Sequence, residues 1–152
     1  MNQITIRKAN LKDLPILLKF EQSLIAAERP FDPTLKRTNT TYYNINEMIT
    51  AAHIYLAVAE FNNQIISCGY ARIEKAKKAL QHIHFGYLGF MYTQPKYRGK
   101  GINKLIIEHL ISWCKKQNIH EIRLHVYHGN EAALKAYKKI GFTNYMIEMR
   151  IE

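Results

Sequence analysis

The sequence lacks the features of membrane-spanning and disulfide-stabilised proteins. Its 152 residues contain no apolar run near the roughly 18 residues that a membrane helix requires. No basic-then-apolar stretch ending in small residues marks a secretory signal at its start, so we expect a cytoplasmic protein. The two cysteines, Cys68 and Cys114, lack metal-ligand spacing and are predicted to be buried, reduced thiols.

Acidic residues are scarce as well. The chain has 12 of them against 22 lysines and arginines, which gives a formal net charge of +10. Such an excess favours an anionic ligand, a nucleic acid or an acidic partner without choosing among them. No long basic block supports nucleic-acid binding, and residues 75–78 are expected to form a solvated turn. With 47% apolar residues, we expect a single globular domain over residues 1–152.

Apolar periodicity predicts the element order β-α-α-β-β-β-α-β-α-β. Strands are expected at residues 4–6, 54–60, 64–74, 82–93, 122–127 and 143–151, and helices at 11–27, 45–52, 102–113 and 130–140. Asn62-Asn63 is expected to form a tight hairpin turn, because asparagine tolerates positive φ. This order predicts an α/β fold in which a mixed sheet carries helices on both faces.

The segment 94–103 (QPKYRGKGIN) separates a long strand from the clearest amphipathic helix. A glycine turn at a helix start exposes several backbone N–H groups at the positive end of the helix dipole. Gly99 and Gly101 let a ligand approach the backbone, while Arg98 and Lys100 add positive charge. The segment therefore predicts a pyrophosphate-binding site.

Two motifs in the chain resemble those of the GNAT family of N-acetyltransferases. Arg98, Gly101 and Asn103 fall on the acetyl-coenzyme A signature Q/R-x-x-G-x-G/A, although Asn103 replaces its final Gly or Ala. We expect the Asn103 amide to donate to a phosphate oxygen or to cap the helix. The second motif, NxxAxxxYxxxGF, is matched by Asn130, Ala133, Tyr137 and Gly141-Phe142.

The resemblance implies a mostly antiparallel sheet that splays between strands 4 and 5, with the pantetheine of acetyl-coenzyme A between them. Gly86 and Gly89 agree with a bulge that opens the sheet. No metal is implied, and a homodimer is left open because members of the family are often dimers. The residues expected to bind the coenzyme, through backbone or side chain, are Met91, Thr93, Arg98, Gly99, Lys100, Gly101, Ile102, Asn103 and Asn130.

The resemblance also implies direct transfer of the acetyl group to a primary amine of a small molecule or a protein. Tyr137 falls where the family often places the acid that protonates the departing thiolate; its alternative role is that of a core aromatic residue. Several members use a strand glutamate as base, but that position is Tyr87 here. Candidate replacements are His84, Glu28 or a water chain.

The sequence leaves open whether the protein is catalytic and which residues form its acceptor site. The missing strand glutamate allows a second hypothesis, a noncatalytic acyl-coenzyme A-binding regulatory module. His82 and His84 share a strand face, but no partner motif supports a metal site. The residues expected at the acceptor site are Glu21, Glu28, Arg29, Phe31, Tyr42 and Tyr43. The alternative is that these residues are ordinary surface charges and core aromatic rings.

Overall fold

The computed structural model describes residues 3–152, so residues 1 and 2 of the predicted domain lie outside the described part. The helices and strands follow the predicted order up to the last helix. In chain order they are β1 (Thr5–Lys8), α1 (Leu14–Glu28), α2 (Ile45–Thr50), β2 (Ile54–Phe61), β3 (Gln64–Lys75), β4 (His84–Thr93), α3 (Ile102–Lys116), β5 (Ile122–Leu124) and α4 (Glu131–Ile140).

The five strands form one sheet in the order β1-β2-β3-β4-β5. Neighbouring strands are antiparallel except β4 and β5, which are parallel. The β2–β3 hairpin turns at Asn62 and Asn63, whose φ angles of 50° and 60° are both left-handed. Two positive φ angles define the type I′ turn that matches the strand twist, so the predicted hairpin is confirmed.

Each face of the sheet carries its own apolar core. Helices α1 and α2 cover one face, where Leu17, Leu56 and Phe90 pack in a single cluster. Helix α3 covers the other face, where Leu88 and Ile106 belong to a second cluster. Helices on both faces of a mixed sheet were predicted, and this architecture is confirmed. Helix α4 is the least buried, because none of its side chains is fully covered.

The N-terminal end of α1 is held by reciprocal hydrogen bonds. The Asn10 side chain accepts from Lys12 N–H at 3.0 Å, and the Asp13 carboxylate accepts from Asn10 N–H at 2.8 Å. Asp13 also accepts from the Arg7 guanidinium at 2.8 Å. These contacts outweigh burial, so the pKa of Asp13 lies below its ordinary value. The capping box therefore joins α1 to β1 and fixes the direction of the helix.

Two strand predictions are corrected by the structure. β5 ends at Leu124 rather than at residue 127, because β4 pairs with it only as far as Leu88. The predicted strand at 143–151 does not form. Residues 143–152 are extended and exposed, and no backbone hydrogen bond joins them to the rest of the described chain. An alternating pattern forms a strand only when it pairs with a strand edge, and these residues pair with none in the described chain.

The remaining predictions about the chain's interior hold. Cys68 and Cys114 are both buried and free, as expected. Within residues 3–152, no helix is both long and apolar enough to cross a membrane.

Candidate active site

β4 and β5 separate soon after they meet. They pair only at Gly86–Ile122, Tyr87–Arg123 and Leu88–Leu124, whereas β4 continues to Thr93. Residues 89–93 of β4 therefore have no strand partner on the side of β5. We call this space the β4–β5 gap. It is the splay that the sequence resemblance implied between strands 4 and 5.

A bulge in β4 coincides with the start of the gap. The register with β3 shifts between Tyr70–Gly89 and Cys68–Tyr92, and Phe90 has a left-handed φ of 53°. A Cβ on Gly89 would lie 2.6 Å from the Tyr70 ring. Glycine is required there because a neighbouring aromatic ring occupies the space, which is the close approach that a glycine inside a strand indicates.

The bulge also decides which backbone groups face the gap. Before it, Gly86 N–H donates to Glu121 O at 2.8 Å, on the β5 side. After it, Gln94 N–H donates to Ile66 O at 2.9 Å, on the β3 side. Backbone groups of successive strand residues point to opposite edges. Met91 and Thr93 consequently turn their backbone groups toward the gap, as the sequence resemblance requires for pairing with pantetheine.

The predicted glycine turn lies directly beyond this end of β4. Gly99 and Gly101 have left-handed φ angles of 75° and 80°, and the space beside each is open. Among the described residues, no protein acceptor is bonded to the backbone N–H groups of residues 99–103. The Arg98 guanidinium donates to Thr93 O at 2.9 Å and so ties the turn to β4. Several free donors thus converge at the start of α3, which suits a pyrophosphate.

Asn103 and Ile102 contribute to the turn in different ways. Gly101 is the residue that precedes α3, so Asn103 does not cap the helix. The Asn103 Oδ1 atom is buried and has no hydrogen-bond partner within residues 3–152. The Ile102 side chain is buried in the core, which leaves only its backbone N–H for a ligand. A phosphate accepts hydrogen bonds, so the free N–H groups and the Asn103 NH₂ group could hold it, whereas the Oδ1 atom could not.

Asn130 precedes α4, and its side chain accepts from Ala133 N–H at 3.2 Å. This cap explains why an asparagine begins the second motif. Its amide NH₂ group is not used by the cap. Lys100 extends over the Tyr97 ring at 5.7 Å and adds charge to the glycine turn.

Tyr137 projects from α4 into the partly buried region beside the second core cluster. Its ring lies 6.0 Å from that of Phe142, with the two rings edge to face. Burial raises the pKa of Tyr137 to about 12, and the Glu28 carboxylate adds to this rise. The phenol is therefore protonated at neutral pH and lies within electrostatic reach of Glu28.

Glu28 ends α1 and continues the buried side of that helix. Glu21 and Ile25 lie seven and three positions before it, on the same helical face, and both are almost fully buried. Burial raises the pKa of Glu28, although the nearby Tyr42 hydroxyl opposes this effect. The negative charge of Glu28 raises the pKa of five tyrosines, namely Tyr42, Tyr43, Tyr87, Tyr127 and Tyr137. The carboxylate thus lies within electrostatic reach of several tyrosine hydroxyl groups.

The loop that follows α1 is fastened from both sides. Glu21 accepts hydrogen bonds from Tyr42 N–H at 2.9 Å and Tyr43 N–H at 2.8 Å. The Tyr127 hydroxyl donates to Asp32 at 2.7 Å, and the Phe31 ring stacks on Tyr127 at 6.4 Å. The loop therefore bridges α1 and the chain beyond β5, and it closes one side of the site.

Two of the other residues predicted at the acceptor site have structural roles instead. Arg29 donates to Lys36 O at 2.7 Å and holds the loop from the outside. The Glu21 carboxylate accepts backbone hydrogen bonds and is therefore not free to bind an amine. Sequence reasoning missed Asp32 and Tyr127, since residues 95 positions apart along the chain carry no pairing signal.

The positions and pKa shifts of the candidate bases also distinguish among them. His84 is exposed at the opposite end of β4 from the gap. Burial raises the pKa of Tyr87 to about 12, which makes it a poor base. Among the candidates, Glu28 is the carboxylate whose charge raises the pKa of Tyr137. The described part of the chain contains no cluster of three or more potential metal ligands.

Comparison with known proteins identifies the family. The model of the Acetyltransferase (GNAT) family matches residues 20–142. N-alpha-acetyltransferase 30 of Saccharomyces cerevisiae is 37% identical over 57 residues. That match covers 38% of this chain and 32% of the yeast protein, so it spans about a third of the yeast protein's length.

Solved structures share the fold over nearly the whole chain. A Clostridium acetobutylicum protein, described as a predicted acetyltransferase with acetyl-CoA, is 25% identical with a TM-score of 0.78; the match covers 99% of this chain and 96% of that one. A variant of the BH1408 protein of Bacillus halodurans is 20% identical with a TM-score of 0.88, over 97% and 98% of the two chains. The resemblance inferred from the two motifs is confirmed: the chain belongs to the acetyltransferase (GNAT) family, whose acyl donor is acetyl-coenzyme A.

Proposed function

We propose that this protein transfers an acetyl group from acetyl-coenzyme A directly to a primary amine, and that residues 1–152 act as one catalytic domain. The proposal is supported by a protonated phenol, Tyr137, and a half-buried carboxylate, Glu28, that lie within electrostatic reach of each other. Tyr137 packs against the same apolar cluster as Leu124, where β4 and β5 last pair. An acid and a base are the two groups that acetyl transfer to an ammonium ion requires.

The glycine turn and β4 would hold the coenzyme. Free N–H groups of residues 99–103 and the charges of Arg98 and Lys100 suit its pyrophosphate. The backbone groups of Met91 and Thr93 suit the amides of its pantetheine. A donor N–H in the gap would also stabilise negative charge as it develops on the thioester oxygen. The NH₂ group of Asn130 is not used by the helix cap, so it would be a further donor to the coenzyme.

Proton transfer would follow from the two raised pKa values. The carboxylate of Glu28 accepts a proton from the incoming ammonium group, which frees the amine nitrogen to bond to the thioester carbon. The carbon–sulfur bond breaks, and the Tyr137 hydroxyl donates its proton to the departing thiolate. The nitrogen, now bonded to the acetyl carbon, loses its second proton, which passes through solvent to restore the Tyr137 phenol. The tyrosines around Glu28 suit a cationic substrate, because aromatic faces attract ammonium groups.

Replacement of Tyr137 by phenylalanine tests the acid. We expect Tyr137→Phe to lower kcat by about 10²-fold or more while the Kd for acetyl-coenzyme A changes little, because the ring and its packing remain. Tyr55→Phe is the matched control: Tyr55 bonds to His109 on the covered side of the sheet and faces no part of the gap. Thiol release with a panel of polyamines, amino acids, amino sugars and peptides measures turnover.

Two results would contradict the proposal. Unchanged kcat in Tyr137→Phe would return Tyr137 to the role of a core aromatic residue. Coenzyme binding without thiol release on any amine would instead support the noncatalytic binding module.

A further inference from the structure

We propose that the amine acceptor is a small molecule that also carries a carboxylate or phosphate group, and that Arg72 and Arg123 bind this anionic group. The proposal rests on the acetyl transfer proposed above, since it names the class of amine that the same site takes. Two arginines on the sheet face that α1 covers, opposite in charge to Glu28, are the observation behind it.

The two arginines lie in one row across the sheet. Arg72 of β3 pairs with Tyr87 of β4, and Tyr87 pairs with Arg123 of β5. Paired residues of neighbouring strands project to the same face of a sheet. Since strands are spaced by about 4.8 Å, the two arginine Cα atoms are about 10 Å apart. Long side chains from both can therefore reach one anion above Tyr87.

Aromatic rings hold both guanidinium groups in place. Arg72 lies 5.4 Å from the centroid of the Tyr87 ring. Arg123 lies 4.9 Å from the centroids of the Phe85 and Tyr145 rings. Because Phe85 and Tyr87 both belong to β4, the two guanidinium groups incline toward this strand from either side. A guanidinium group stacked on a ring keeps its N–H edge available for an anion.

The neighbouring glutamates use only part of each guanidinium group. Glu74 accepts from Arg72 Nε at 2.6 Å, and Glu121 accepts from Arg123 Nε at 3.0 Å. The terminal nitrogen atoms of Arg72 make no hydrogen bond within residues 3–152, and Arg123 Nη2 lies 3.5 Å from His82 Nε2. The Arg72 side chain is 35% exposed and the Arg123 side chain 23%. Paired N–H groups of this kind bind carboxylates and phosphates.

Glu28 provides the opposite charge on the same face. Helix α1, which ends at Glu28, covers the face on which Tyr87 packs. Burial is the main cause of the raised pKa of Tyr87, but the charge of Arg72 lowers this pKa and that of Glu28 raises it. Both charges thus act on one hydroxyl group, so a short molecule can reach both of them. Its ammonium group suits Glu28, and its acidic group suits the arginines.

A polyamine suits this arrangement less well. Its second ammonium group would lie beside the two arginines, and like charges in contact oppose binding. The glutamates next to the arginines do not remove the positive excess, because residues 75–78 add three lysines directly after β3. The charges therefore favour a zwitterion over a polycation.

Equilibrium binding to the full chain in the presence of coenzyme A tests the proposal without requiring turnover. Isothermal titration calorimetry compares short ω-amino acids, from glycine to aminohexanoate, with α,ω-diamines of matching length. Aminoalkyl phosphates of the same lengths show whether a phosphate or a carboxylate is preferred. We expect at least one anionic amine to bind about 10-fold or more tightly than its matching diamine.

Two variants separate recognition from structure. Arg72→Gln should raise the Kd of the preferred anionic amine about 10-fold or more, with no change in the Kd of coenzyme A, and Arg123→Gln should act in the same direction. Glu74→Gln should leave the Kd unchanged or lower it, because it removes negative charge. An ion pair with only a structural role would make Arg72→Gln and Glu74→Gln equally harmful. Lys116→Gln, in the last turn of α3, removes a positive charge from the other face and should have no effect.

The outcomes distinguish this proposal from the acetyl transfer on which it rests. Diamines that bind as tightly as the anionic amines overturn it, as do equal effects of Arg72→Gln and Glu74→Gln or a failure of every anionic amine to bind. Arg72-dependent binding without thiol release from acetyl-coenzyme A would support the anion site and contradict catalysis. Thiol release with diamines alone would support catalysis and overturn the anion site.

Discussion

At the scale of single residues, Glu28 and Tyr137, the proposed base and the proposed acid, show how one environment acts on two different groups. Burial raises the pKa of both groups. For a carboxylic acid this shift moves the pKa toward neutrality and makes the carboxylate a stronger base. For a phenol it moves the pKa further from neutrality, so the group keeps its proton but is a weaker acid, and it donates only as negative charge builds up on the departing sulfur. A shared apolar site can thus supply both an acid and a base.

The pH profile of a Glu28 variant follows from this shift. The basic form of Glu28 is the carboxylate, which is lost as pH falls through a pKa that lies above 4.5. We therefore expect kcat/KM of the wild type to fall on the acid side at a pH above that value. Glu28→Gln should lower kcat/KM by about 10²-fold or more and remove that acid limb. Without this base the variant needs the free amine, so its kcat/KM should instead rise as pH approaches the amine pKa near 10.4.

Glu47→Gln is the control for this experiment, because Glu47 is an exposed carboxylate in the first turn of α2. Its pH profile should match that of the wild type. An acid limb that persists in Glu28→Gln would transfer the role of base to another group or to water.

At the scale of elements, the loop between α1 and α2 owes its position to a buried carboxylate. Glu21 is only 1% exposed, and it accepts from two successive backbone N–H groups at Tyr42 and Tyr43. A charged group at such depth is tolerated only when it is fully hydrogen-bonded. The loop in turn sets Tyr42 beside Glu28, so an element boundary far from the coenzyme shapes the acceptor side of the site.

Removal of the Glu21 carboxylate should weaken both the fold and the acceptor site. Each hydrogen bond to a charged group contributes about 1.5–3 kcal/mol, so Glu21→Ala should lower the free energy of unfolding by ~3 kcal/mol or more. Glu21→Gln should cost less, because its amide oxygen still accepts. Urea denaturation measures the loss, and KM for the amine should rise more than KM for acetyl-coenzyme A.

Gln22→Ala provides the comparison, since the neighbouring Gln22 donates to Thr40 O of the same loop at 3.0 Å from an exposed position. Its cost should stay within about 0.5 kcal/mol. Equal losses in the two variants would show that burial of Glu21 is not what holds the loop.

At the scale of the whole molecule, the charge of +10 has a kinetic consequence. A basic protein attracts the phosphate groups of coenzyme A over distances of about 8–10 Å at physiological salt. The effect acts on encounter and not on the chemistry in the gap. It explains why a small domain with few acidic residues suits an anionic substrate even though the surface charge does not specify which anion.

The association rate constant for acetyl-coenzyme A should therefore fall several-fold as ionic strength rises from about 0.01 M to 0.15 M. Acetyl-pantetheine lacks the phosphates, so its association rate should change little. Stopped-flow binding measures both. An equal salt dependence for the two compounds would contradict electrostatic steering.

Local chemistry in the sequence was enough to predict most elements of the fold. Asn62-Asn63 predicted a hairpin because both residues tolerate left-handed φ, and Gly99 and Gly101 predicted the turn before α3 for the same reason. Helical spacing and alternation predicted the order of the elements up to α4. Such signals lie within a few residues of one another, so no knowledge of the distant chain is needed to read them.

The length of β5 and the fate of residues 143–151 could not be predicted in this way. A strand forms only where a partner edge is present, and β4 leaves β5 after three pairs. Alternation alone indicated a strand in both cases, whereas the second segment pairs with no strand edge in the described chain.

The glycine turn at residues 99–103 and the motif that contains Tyr137 were evident from residue order, and with them the family and its coenzyme. The choice of Glu28 among the candidate bases was not. It required the folded chain to bring the end of α1 within electrostatic reach of Tyr137 and to bring the Tyr127 hydroxyl to Asp32. Cofactor recognition depends on backbone geometry encoded within one short segment. The acceptor site is assembled from distant segments, whose proximity is decided by the burial of apolar faces in the folded chain.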